Sequence, residues 1–97
     1  MNDKIRELLK ELLTSENIDT TKATYVLKSL MTDMGKTEMI HKINEKQTWD
    51  NFAELTIVSL QQIFKAHTKA MSHSELRDFL ENNDAFMNTV QRMVGRQ

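Results

Sequence analysis

Cysteine and proline are absent from this chain, and glycine occurs only twice. With no cysteine there is no disulfide framework, no thiolate nucleophile and no sulfur ligand for a metal, a composition at home in a reducing compartment. Without proline, and with Gly35 and Gly95 as the only glycines, the tight turns that join β-strands have almost nothing to form from. The same shortage removes the glycine-containing loops from which phosphate cradles and nucleophile elbows are built. An excess of one charge is missing too. Thirteen basic side chains face fourteen acidic ones, for a net charge of −1, so nothing in the totals promises electrostatic capture of nucleic acid or an anionic membrane. No apolar run approaches the roughly 18–20 residues that cross a bilayer. The opening MNDKIRELLKELL is charged and amphipathic, unlike a signal peptide. The expectation is a cytoplasmic protein that does not enter a membrane.

What is present favours helix. Leu, Met, Lys, Glu and Gln dominate over the β-branched and aromatic residues. The longest helical pattern is 48–70, TWDNFAELTIVSLQQIFKAHTKA, which holds the only tryptophan and two of the four phenylalanines. At about 100° per residue, Trp49, Phe52, Ala53, Thr56, Ile57, Leu60, Ile63, Phe64 and His67 share one broad face. Asp50, Glu54, Gln61, Lys65 and Thr68 fall opposite. A stripe that wide touches several neighbours, which makes this the central helix of an all-α, compact bundle of five or six short helices. One helical domain over 1–97 is expected.

The flanking segments carry their own signals. Asn2 is placed to cap a first helix whose Ile5, Leu8, Leu9, Leu12 and Leu13 repeat at three and four residues. Asp19 or Thr20 restarts the pattern after 14–17. Ala23, Val26, Leu27, Leu30, Met31 and Met34 then form an inner face that ends at Gly35, suited to a left-handed helix terminus. Thr37 is the expected cap of a short third helix with Met39, Ile40 and Ile43 inside, and Thr48 that of the central one. Ser72 and Glu75 spell an S-x-x-E capping box for a fifth helix carrying Leu76, Phe79 and Leu80. A sixth follows 82–84, with Met87, Val90, Met93 and Val94 inside and Phe86 near its boundary.

Chemistry is hard to find. Glu38 and His41 form one E-x-x-H pair, whereas carboxylate-bridged di-iron bundles need two such pairs and two further glutamates. His67 reads as a core-edge residue near a helix C-terminus, where its positive form is stabilised. His73 sits on a different element. Serine and threonine fall mostly at caps. No catalytic residue, metal site or cofactor is expected.

Function therefore has to come from surface. Leu55 and Val58 lie on the outer side of the central helix with Gln62 and Lys65, and together they form the expected partner-binding face. The chain itself is the favoured cover for the two aliphatic residues, with a partner protein or a second copy in a homodimer as the other candidates. Glu75, Asp78, Glu81 and Asp84 could steer a basic partner. The expected role is a non-enzymatic adaptor, inhibitor or regulator of a larger protein machine, a role suited to a small accessory protein of a phage or other mobile element. The alternative is a DNA-binding regulator with a helix-turn-helix-like segment at 20–46. That reading is disfavoured because Met31 stands where the motif wants a small residue, and 37–45 lacks base-reading side chains near its start. Chain length and a central tryptophan resemble small secreted helical hairpins marked by Trp-X-Gly, but Trp49-Asp50-Asn51 lacks the glycine of that turn.

Overall fold

The computed structural model describes residues 3–95, which form six helices and no strand. They are α1 (Asp3–Thr14), α2 (Thr20–Asp33), α3 (Thr37–Lys42), α4 (Lys46–Thr68), α5 (His73–Glu81) and α6 (Asn83–Gly95). The all-α expectation holds; the cap expected at Asn2 lies outside the described residues. Packing divides the chain into two compact units between Ser59 and Leu60, within α4.

In the first unit α1 packs on α2, and α2 on α3. The leucine stripe of α1 turns inward as its spacing requires, burying Ile5, Leu9, Leu12 and Leu13. On its polar side Arg6 pairs with Asp3 and Lys10 with Glu7, each one turn apart. Asp19 caps α2 by accepting from the backbone N–H groups of Thr21 and Lys22 at 3.0 and 3.2 Å, and Ala23, Val26, Leu27, Leu30 and Met31 are buried. Gly35 ends α2 with φ +74°. Its N–H reaches the Thr32 carbonyl at 3.0 Å, and the Lys36 N–H reaches that of Met31 at 2.8 Å, the paired pattern of a Schellman terminus. The α4 residues of this unit bury Trp49, Ala53 and Ile57.

Two helix starts differ from expectation. Thr37 is the first helical residue of α3, not its cap; Lys36 holds the cap position without any side-chain hydrogen bond. Thr48 lies inside α4, which starts two residues earlier at Lys46. There Lys46 pairs with Asp50 across one turn at 2.6 Å. α3 is also shallower than its apolar pattern implied: no residue in it is buried, and Met39 is 40% exposed, as Met34 is at 43%. A six-residue helix has too few turns to bury a stripe at helical spacing.

In the second unit α5 packs on α6. The capping box forms as the sequence spells it: Ser72 Oγ accepts from the Glu75 N–H at 3.1 Å, and the Glu75 carboxylate accepts from the Ser72 N–H at 3.3 Å. Asn82 caps α6, its side chain accepting from the Ala85 N–H at 3.1 Å. Phe86, expected near the boundary, is fully buried because α6 begins at Asn83 and turns this ring inward. It stands 6.5 Å from Phe64, edge to face, and 6.1 Å from Phe79. Phe64 and Phe79 stack at 6.2 Å. Leu60, Phe64, Thr89, Val90 and Met93 complete the buried set among the described residues of this unit.

Candidate functional site

The residues that α4 sends outward are the candidate site. Leu55 and Val58 lie three residues apart on the outer side of α4 in the first unit, and Gln62 and Lys65 three residues apart on its outer side in the second; all four are exposed. Leu55 is 72% exposed and Val58 36%. Among the described residues the chain leaves Leu55 largely uncovered and covers Val58 only in part, which corrects the favoured expectation. The cause is helical geometry. α4 turns Ala53, Ile57 and Leu60 fully inward, and side chains about half a turn away from those positions must face out. Leu55 and Val58 belong to the first unit, Gln62 and Lys65 to the second. Gln62 also lines a shallow depression of about 470 Å³ with Ile63, Ala66 and His67.

His67 is exposed, with its ring 5.7 Å from that of Phe79. Its role there is to flank the phenylalanine cluster. Of the acidic residues, Glu75, Asp78, Glu81 and Asp84 are all exposed, but two have local work. Glu75 closes the capping box, and Asp84 lies in the first turn of α6, where the helix dipole favours a negative charge. Glu38 and His41 are exposed on α3, and among the described residues no group of three or more His, Cys, Asp or Glu side chains converges as a metal site would require.

Three of the five lysines on 20–46 are engaged within the chain. Lys22 pairs with Glu11 at 3.7 Å, Lys28 lies over the Trp49 ring at 4.8 Å, and Lys46 donates to Asp50. Asp50 is the centre of a clasp that the sequence pattern conceals, since helical phase alone marks it as a plain outer residue. Thr24 Oγ1 on α2 donates to its Oδ1 at 3.0 Å while Lys46 Nζ donates to Oδ2 at 2.6 Å. The Lys46 hydrogen bond, helped by that from Thr24 and by the charges of Lys46 and Lys28, holds the Asp50 carboxyl below its ordinary value of 3.8 despite partial desolvation. The Lys46–Asp50 spacing of four was the readable signal; the Thr24 contact needed the fold.

Sequence reasoning also missed Tyr25. It is half exposed and lines an open groove of about 430 Å³ with Lys4, Leu8, Thr21 and Lys22. Through 49–51, where the hairpin proteins turn, α4 runs on unbroken. No helix among the described residues is long and apolar enough to cross a membrane. No family model, curated protein or solved structure matches the chain.

Proposed function

We propose that this protein is a non-enzymatic protein–protein interaction module, an adaptor, inhibitor or regulator of a larger protein machine, that docks through the outer side of α4. The observation that carries the reading is the exposure of Leu55, at 72%, with Val58 one turn further along. Scattered apolar residues on a surface mean little. Two adjacent aliphatic side chains with the exposed Asn51 one turn before Leu55 have the make-up of an interface, an apolar centre with a polar rim. Fully burying a side chain such as leucine contributes roughly 1.5–3 kcal/mol, enough to make Leu55 an anchor for a partner.

The test combines partner capture from the native cell with variants of the face. Wild-type protein is expected to recover a stoichiometric partner, or to run as a dimer. Leu55→Asp should abolish that association while shifting stability by no more than about 0.5 kcal/mol, as exposed substitutions usually do, and Val58→Asp, at a side chain only 36% exposed, should abolish it as well. A strictly monomeric wild-type chain that recovers nothing would end the proposal. So would full retention of the partner by both variants.

A further inference from the structure

Residues 36–45 differ from everything around them. α3 is six residues long, buries no side chain and lacks a side-chain cap at Lys36. A helix that short does not persist on its own. Only Ile40 and Ile43 are even half-buried, and the link 43–45 has no helical structure. Among the described residues, one side-chain hydrogen bond reaches the segment from outside it: the Trp49 indole N–H donates to the Ile43 carbonyl at 2.9 Å. Both flanks are firm. Upstream, the terminus of α2 is closed at Gly35 by its own backbone bonds, and downstream the Trp49 backbone N–H donates to the Glu45 carbonyl at 3.2 Å. Trp49 itself is buried, stacked on Phe52 at 6.1 Å and overlain by the Lys28 ammonium.

We propose that 36–45 is a detachable strap on the first unit, latched by the indole–carbonyl bond, which opens by local unfolding while α1, α2 and α4 stay folded. The free energy of such an opening scales with the buried apolar surface it gives up, and this segment has little to give. Gly35, with φ +74° and nothing within 4 Å of an added Cβ, is the upstream hinge. Closed, the strap occupies the indole N–H and keeps that edge of Trp49 from solvent. Open, it presents the edge as a donor beside an apolar ring, a surface that the resting protein withholds.

Native-state hydrogen exchange on the whole chain tests this. The amides of 40–43 are expected to exchange at least a hundredfold faster than those of Leu9, Val26 and Leu27, with little dependence on low denaturant. Trp49→Phe, which removes the latch donor, should speed exchange in 40–43 about tenfold and leave the α1 amides unchanged. Because that variant alters a buried ring, Glu38→Gly serves beside it. Glu38 is exposed, and a helix-weakening glycine there should speed the same amides about threefold without touching α1. The strap is refuted if 40–43 exchange at the rate of α1 and α2, or if either variant accelerates all of them in parallel.

Discussion

α3 and α5 are the two short helices of this protein, six and nine residues, and neither contains a fully buried side chain. They are nevertheless held in different ways. α5 begins at a complete capping box and brings Phe79 against Phe64, Phe86 and His67. α3 begins without a side-chain cap and offers one half-buried isoleucine, Ile40, with the half-buried Ile43 and its carbonyl just past its end. Aromatic pairs contribute about 0.5–1.5 kcal/mol beyond the area they bury, and a cap about 1 kcal/mol. Equal burial class therefore conceals unequal anchoring: ring contacts and end-capping hold one helix, and a single indole bond the other.

The largest effect should come from removing the ring on which α5 leans. Phe86→Ala is expected to cost about 3–5 kcal/mol in chemical denaturation. Ile40→Ala, at the matching position of support for α3, should cost no more than about 1–2 kcal/mol because that side chain is half-buried. Equal losses would erase the contrast. A finer cut compares the two helix starts. Ser72→Ala removes a working cap and should destabilise by about 1 kcal/mol, whereas Thr37→Ala, at a position that caps nothing, should stay within about 0.5 kcal/mol.

The smallest effect concerns the clasp just beyond Trp49. Asp50 has its carboxyl held below 3.8 in the folded chain, chiefly by Lys46. At acid pH the unfolded chain therefore takes up this proton before the folded one does. The stabilisation is complete above about the ordinary carboxylate value and is lost as pH falls through the lower folded one. Asp50→Asn should accordingly be less stable than wild type at neutral pH, with the gap closing below pH ~4. A gap that stays constant from pH 7 to 2.5 would mean that Lys46 and Thr24 do not favour the charged form.

These contrasts explain what could be read in the sequence. The S-x-x-E box at 72–75 and Gly35 announced themselves because each is a local backbone requirement met by local residues. The leucine stripe of α1 and the inner face of α4 were legible from period alone. Thr37 and Thr48 misled because a threonine before an apolar run is a permissive cap signal, and Lys46 could start α4 earlier by pairing with Asp50 across one turn. Met34 and Met39 were assigned inward by spacing, yet at a helix end and in a six-residue helix periodicity has too few turns to act on. Phe86 stands four and seven residues before Val90 and Met93, so once Asn82 caps α6 the ring shares their buried face. At the candidate site, the sequence singled out Leu55 and Val58 as outward-facing. Their exposure depended on what the rest of the chain reaches, which is a tertiary fact.

One further property follows from where the aromatic residues lie. Trp49 and Tyr25 are the only tryptophan and tyrosine, and both belong to the first unit, while Phe64, Phe79 and Phe86 fall in the second. Near-ultraviolet emission excited at long wavelength thus reports on one unit alone, whereas far-ultraviolet ellipticity sums the helices of both. Following a single unfolding transition by the two signals measures, without any label or mutation, whether the boundary at Ser59 and Leu60 is also a boundary of cooperativity.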